Sequence, residues 1–374
     1  MSQSGLFDLD ERLVAISAKG DVLETIKASV PWEEFCAGIE AAIEAQACKQ
    51  ARGRPAANEA KAVKPADAQK SNAGRKGYDA LLKFKMVVLQ SLYNLSDEQV
   101  EIQVRDRLSF MRFLDLGLEN SVPDATTIWL FREALVKAGL IDTLFERFGQ
   151  HLAAKGFLAR GGQIIMPEAC LQHDATIVTA PIQRNTKDEN AAIKNGEVPK
   201  AWAKKPAKHQ QKDTDARWTK KHGKSFYGYK NHVGIDTAHK LIRTWDTSDA
   251  SVHDSQKLDA VLDGGNTGRD VWADSAYRSA EIEAKLAKKG LKSRIHRRGA
   301  RNQPLSKAQE AVNKTRSKVR ARVEHVFGHQ ETSMGGKIVR TIGIARARFK
   351  IGMMNLGYNM RRLTVLARVK AAPA

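Results

Sequence analysis

Three acidic residues are the best suited in this chain to do chemistry: Asp174 in CLQHDATIV, Asp274 in DVWADSAYR and Glu324 in RARVEHVFG. The first two lie in short apolar runs that read as strands. The third lies in a basic stretch of helical pattern, so a folded core can gather all three carboxylates at one point. Carboxylate oxygens suit a hard cation, and Mg²⁺ takes one or two carboxylates and fills its other positions with water and phosphate oxygens. Two such ions ~3.5–4 Å apart activate an attacking oxygen and stabilise a leaving one, which is chemistry for a phosphodiester. A chain with 42 acids offers many such triples, so the specificity has to come from what flanks them.

Each acid needs an element to hold it. Ile164–Ile165 and 171–178 read as extended chain, Phe226–Asp236 and Leu241–Asp246 as a hairpin turning at 237–240, and Val271–Ala273 as a short strand that delivers Asp274. Short helices are expected at 255–262 and 280–289, with a strand at about 291–295 between the second of these and a long helix. Ser306 and Gln309 form the capping box that opens this long helix, which runs to about Phe327. On it Val312, Val319, Val323 and Val326 mark a buried stripe, while Arg316, Arg320 and Glu324 recur every four residues. An arginine so placed can hold a phosphate bidentately while the glutamate binds metal. The alternative is an i,i+4 ion pair worth about 0.3–0.5 kcal/mol on a solvated helix. Lys230 and His232 share a strand face and suit a phosphate. Tyr277 and Arg278 suit either a DNA end or a turn, and Asp236, which ends an apolar strand, rivals the triad for a metal position. The last helix, about 345–366, carries Phe349, Met353, Leu356, Met360 and Leu363 as a core stripe.

The flanks resemble the DDE transposases of bacterial insertion sequences, specifically the family named after insertion sequence five. The likeness runs from about residue 77 to about 365, through NLSDEQVEIQVRDRLSFMRFLDL, SVPDATTIWLFREAL, DATIV, YGYKNHVGIDTAHKLI, ADSAYRS and VRARVEHVFG. It implies a ribonuclease-H-like fold, a mixed α/β sheet flanked by helices, in which Asp174, Asp274 and Glu324 are the catalytic, metal-binding triad. Arg320 stands one turn before the glutamate. The family pattern also carries a tyrosine three residues before that arginine and a lysine seven after the glutamate; here those positions are Ser317 and Glu331.

Composition agrees with a polyanionic partner. The chain carries 62 Lys and Arg against its 42 acids, a net charge of +20. Residues 1–50 form an acidic segment with nine acids and four bases, not suited to lying on DNA. Residues 51–76 read as a linker, and within it Arg52-Gly53-Arg54-Pro55 resembles a minor-groove hook. Residues 77–155 read as a small all-helical domain for DNA binding or dimerisation, with a capping box at Ser96 and Gln99 and a helix after Pro123-Asp124. Residues 156–374 form the catalytic domain. It is interrupted at about 183–224 by twelve bases against five acids, interleaved with Trp202 and Trp218 and read either as a grip on distorted DNA or as a poorly ordered basic loop. Residues 285–324 hold fourteen Lys or Arg against two acids, which a solvated basic face would also explain. Three cysteines in no close pair support neither a disulfide framework nor a zinc site. No run of 18 apolar residues and no signal pattern in the first residues lead to the expectation of a cytoplasmic, nucleoid-associated protein.

The expected activity is cleavage at the terminal inverted repeats of an insertion sequence, then attack of the freed 3′-hydroxyl on target DNA, with two Mg²⁺ ions for which Mn²⁺ can substitute. Arg316, Arg320, Lys230, Tyr277 and Arg278 are the expected DNA contacts. A homo-oligomer on paired ends follows from the resemblance. Two other readings remain: a nuclease with the same site, and an inactive or repurposed relative that binds DNA without cutting it.

Overall fold

The computed structural model describes residues 8–52, 77–157, 162–167, 177–221, 223–265, 268–300 and 303–371. Side chains set many of the helix starts by accepting amide hydrogens that a first turn leaves without intrahelical partners. Ser96 and Gln99 bond reciprocally at 3.1 and 3.0 Å, and Ser306 and Gln309 at 3.3 and 3.1 Å, so both expected capping boxes are present. Thr186 and Glu189 form a third, and the Asp124 carboxylate accepts from Thr127 N at 2.7 Å. That carboxylate is held below its usual pKa by this cap.

The chain divides into two units, Met1–Gln90 with Leu95–Leu144, and Ser91–Asn94 with Phe145–Ala374. The first is helical: α1 (Asp8–Ala18), α2 (Val22–Ser29), α3 (Glu33–Arg52), α4 (Ala80–Tyr93), α5 (Asp97–Asp106), α6 (Leu108–Leu114), α7 (Ala125–Lys137) and the start of α8 (Ile141–Ala154). The acidic start is part of this unit. Leu23, Ile26, Phe35 and Ile39 are buried in its core, as are Phe84, Phe110 and Phe113. Two acids of that start meet base within the unit: Arg112 reaches Asp21 at 2.7 Å and Glu24 at 3.5 Å, and also donates to Ser17 Oγ at 2.7 Å. The hook-like Gly53-Arg54-Pro55 lies outside the described residues.

The second unit is built on a seven-stranded mixed sheet. Its strands are β1 (Gln163–Pro167), β2 (Val178–Thr179), β3 (Arg217–Lys221), β4 (Lys224–Asp236), β5 (Ile242–Asp249), β6 (Asp270–Trp272) and β7 (Lys292–Ser293). The central path is β2-β4-β1-β6-β7, with β3 and β5 also paired to β4. β4 and β5 form the expected hairpin. Asp236 turns it by accepting from Ala238 N at 2.9 Å, His239 N at 2.5 Å and Leu241 N at 2.9 Å. β1, β6 and β7 run parallel. Gly228, at φ 153°, lets β2 cross β4 closely: a Cβ there would stand 2.2 Å from Val178 O.

Around the sheet lie α9 (Lys187–Lys194), α10 (Lys200–Ala203), α11 (Pro206–Gln210), α12 (Leu258–Val261), α13 (Ala280–Lys288), α14 (Lys307–Ser333) and α15 (Ile344–Ala371). α14 runs two turns beyond the expected end, because Val326, Phe327 and Gln330 continue the buried line from Val323, whereas Val312, expected in that stripe, is 42% exposed in the helix's first turns. All five expected core positions of α15 are buried. The region 183–224 corrects the expectation of a poorly ordered loop. Trp202 is 1% exposed and donates to Glu189 at 2.6 Å, and Lys208 donates to the same oxygen at 2.6 Å, so tryptophan, acid and lysine make a small core of their own. The Lys208 ammonium, first among these contacts, holds the Glu189 carboxyl down at about 2. Trp218, by contrast, is 45% exposed and packs on Tyr227.

Candidate active site

Asp274 stands two residues past β6, at the carboxyl edge of the parallel strands, and begins a single 3₁₀ turn, Ser275–Tyr277. Backbone bonds make the turn, Tyr277 N–H donating to Asp274 O at 3.0 Å, while the Asp274 side chain makes no capping bond to it. The chain leaving β7 stays beside β6: Arg294 N–H donates to Val271 O at 2.8 Å and His296 N–H to Ala273 O at 3.2 Å. His296 is thereby fixed next to Asp274. Its Nδ1 is 3.8 Å from Asp274 Oδ1, and its Nε2 is 3.4 Å from Ser317 Oγ on α14. Arg320 Nη1, also on α14, is 3.7 Å from the same Asp274 oxygen. Both approaches to Asp274 exceed hydrogen-bond length, so neither group closes a tight bond on the carboxylate. Glu324 follows Arg320 by one turn on the same helix face and is half-buried.

The family described as Transposase DDE domain matches residues 170–360, just over half of the chain, and the one described as Transposase domain (DUF772) matches residues 59–134. The chain is a DDE transposase of the insertion-sequence type. No solved structure matches it. The mixed sheet of the second unit is therefore the ribonuclease-H-like fold of a DDE domain, and this transposase belongs to a family that cleaves and transfers DNA with divalent metal ions.

Asp274 and Glu324 offer the hard oxygens that Mg²⁺ or Mn²⁺ takes. Arg320 Nε is buried with no hydrogen-bond partner among the described residues, an orphan donor that suits a phosphate oxygen. These residues fit the metal and substrate of the family. Asp174 lies outside the described residues. Among those described, no three His, Cys, Asp or Glu side chains cluster closely enough to hold a metal ion.

The structure sorts the other expected residues by burial. Arg316 lies one turn before Arg320 and donates to Ile295 O at 2.5 Å, and Arg278 donates to the same carbonyl at 3.2 Å. Tyr277, expected at a DNA end, is instead fully buried among Ile165, Leu258, Val271 and Leu286, because the 3₁₀ turn points it into the core. Lys230, expected at phosphate, is 8% exposed; its ammonium donates to Val252 O at 2.8 Å and Asp254 Oδ1 at 3.0 Å, bracing the loop after β5. Asp236 is no rival for metal: it is wholly buried, and both its oxygens accept the turn amides. Burial pushes its pKa up, and the turn amides partly oppose that. At the two positions that depart from the family pattern, Ser317 touches His296 and Glu331 pairs with Lys337 at 3.3 Å. Burial raises the Glu331 pKa, and its Oε1 has no hydrogen-bond partner among the described residues.

Sequence reasoning missed His296. It sits in IHRRG with no motif around it, and only the parallel pairing of β7 with β6 brings it beside Asp274.

Proposed function

We propose that this transposase binds the terminal inverted repeats of its insertion sequence, cleaves the strand at each end and joins the freed 3′-hydroxyl to target DNA. The observation that carries this reading is Arg320 at 3.7 Å from Asp274, with Glu324 one turn further along α14. Asp174, Asp274 and Glu324 are the carboxylates that would hold two Mg²⁺, or Mn²⁺, and the ions, when bound, would supply Lewis acidity and a polarised nucleophile. Arg320 steadies the reacting phosphate through its remaining donors, its planar fork matching the phosphate oxygens. His296 keeps Asp274 oriented from the β7 side. Cleavage and joining use the same groups, so one site serves both steps with no covalent protein–DNA intermediate.

The helical unit and its linker serve end recognition or pairing of two copies, because two ends have to be held together for a concerted insertion. DNA as substrate makes the bacterial nucleoid, in the cytoplasm, the place of action. Among the described residues no helix is long and apolar enough to cross a membrane.

The test uses duplexes made from the DNA flanking the gene, incubated with Mg²⁺ or Mn²⁺ and either the native chain or Asp274→Asn. Metal-dependent cutting and joining, lost by about 10³-fold or more in the variant, is the expected result, since metal-assisted charge stabilisation contributes several kcal/mol. Cut ends without joined strands would make the protein a nuclease. Tight binding with no cutting by either form would make it a repurposed DNA-binding relative.

A further inference from the structure

Two guanidinium groups from distant parts of the chain meet on one backbone carbonyl. Arg278 Nη1, from the turn after Asp274, and Arg316 Nη1, from α14, both donate to Ile295 O, at 3.2 and 2.5 Å. The carbonyl is well fixed. Its neighbours on either side are tied to β6 through Arg294 N–H to Val271 O at 2.8 Å and His296 N–H to Ala273 O at 3.2 Å. Asn313 on α14 clamps the next residue, exchanging two bonds of 2.9 Å with the Arg297 backbone.

Like charges held this close repel, and the surrounding acids do not cancel them. Arg278, Arg294, Arg297 and Arg316 are opposed by Glu283, 3.5 Å from Arg278, and Asp270, 2.9 Å from Arg294. Burial, then the fields of Arg278, Arg294 and Arg297, push Arg316 below the usual arginine pKa. Each guanidinium has five N–H donors, and one carbonyl satisfies few of them. An oxyanion placed between the two forks would relieve the repulsion and take up the remaining donors.

We propose that Arg278 and Arg316 form a second phosphate seat, separate from the one at Arg320 and Asp274, which binds a non-reacting phosphate of the DNA strand in the active site. The inference rests on the transposase reading above. Arg316 lies one turn before Arg320, ~6 Å along the helix axis. A strand seated at both points is thereby held in register, with the scissile phosphate at Asp274. Arg297, exposed at the rim, adds attraction without defining the seat.

The experiment is the salt dependence of affinity for a fluorescently labelled DNA duplex, by anisotropy, for the native chain, Arg278→Gln/Arg316→Gln and Lys285→Gln/Lys289→Gln. The lysine pair is a control that removes equal charge from a helix where both ammonium groups pair with Asp259. Losing one phosphate contact lowers the log–log salt slope by about 0.9. The expected result is that loss in the arginine variant, nearly as large a loss in Arg278→Gln alone because the two forks share one phosphate, and an unchanged slope in the control. Arg278→Lys/Arg316→Lys keeps the charge and is expected to keep the slope, which separates loss of the seat from loss of folding. A slope unchanged in both arginine-to-glutamine variants, or lowered equally by the control, overturns the seat. A native chain with no salt-dependent affinity for duplex overturns the proposed binding, cleavage and joining of DNA ends instead.

Discussion

At Asp274, two nitrogen groups approach one carboxylate oxygen without closing on it, Arg320 at 3.7 Å and His296 at 3.8 Å. The two have different jobs. Arg320 has an orphan donor to offer a substrate, whereas His296 has one ring nitrogen toward Asp274 and the other at Ser317. A residue that orients a metal-binding carboxylate affects chiefly how well the metal binds, and losing such a partner typically costs about 10–100-fold in metal affinity or activity. His296→Ala is therefore expected to raise the Mn²⁺ concentration giving half-maximal cutting by about tenfold or more, with the rate recovered at saturating Mn²⁺. A rate that stays low at every Mn²⁺ concentration would mean that His296 acts on the DNA or the chemistry itself. Direct titration of Mn²⁺ by electron paramagnetic resonance, without DNA, gives the same comparison independently of activity. Ser317 touches this histidine, so the position for which the family pattern led to the expectation of a tyrosine lies beside the site.

At the scale of elements, α15 shows how packing and hydrogen bonding combine. Its apolar stripe was readable from four-three spacing, but its polar core residues were not. Asn355 sits fully buried and exchanges bonds of 2.9 and 3.1 Å with Asn231 on β4, while Gln330 of α14 donates to the same Asn355 oxygen at 2.9 Å. One side chain thus joins two helices and the central strand. Asn355→Leu keeps the volume roughly but leaves the Asn231 and Gln330 groups buried without partners, at about 1–3 kcal/mol for each group left unsatisfied. A loss of unfolding free energy of that size, read from urea midpoint and slope, is expected, and an unchanged free energy would show that water replaces the lost partner. The same limit explains Lys230 and Tyr277. Alternation and position made both candidate DNA contacts, but period alone does not say which face of a strand, or which side of a turn, the rest of the chain covers, and here both are buried. Capping boxes were legible because their chemistry is local. The Ile295–His296 segment was not, because its meaning depends on β7 pairing with β6 across more than twenty residues.

For the whole molecule, net charge identified the partner class but not its distribution in space, since two acids of the acidic start, Asp21 and Glu24, pair with Arg112 of their own helical unit. The second unit also buries charge-capable groups away from the site, which makes its stability depend on pH. His232 is wholly buried and bonded through Nε2 to Ser248 Oγ at 2.8 Å. Burial pushes its pKa down to about 4; Asp254 and Asp246 oppose this, and Lys230 and Lys257 reinforce it. The unfolded chain takes up a proton near the ordinary value of ~6.5, whereas the folded chain resists it until about 4. Between those values the unfolded state binds more protons, so stability is fully present above the window and is lost as pH falls through it, by up to about 1.4 kcal/mol per pH unit and about 3 kcal/mol in all. Carboxylates also titrate in this range, so the comparison needed is with His232→Gln, which keeps a partner for Ser248 and removes the titration. Urea unfolding at about pH 7 and about pH 4.5 is expected to show a larger loss for the native chain than for the variant, by roughly 2–3 kcal/mol. Parallel losses in the two proteins would mean that His232 admits water and takes its proton in the folded state.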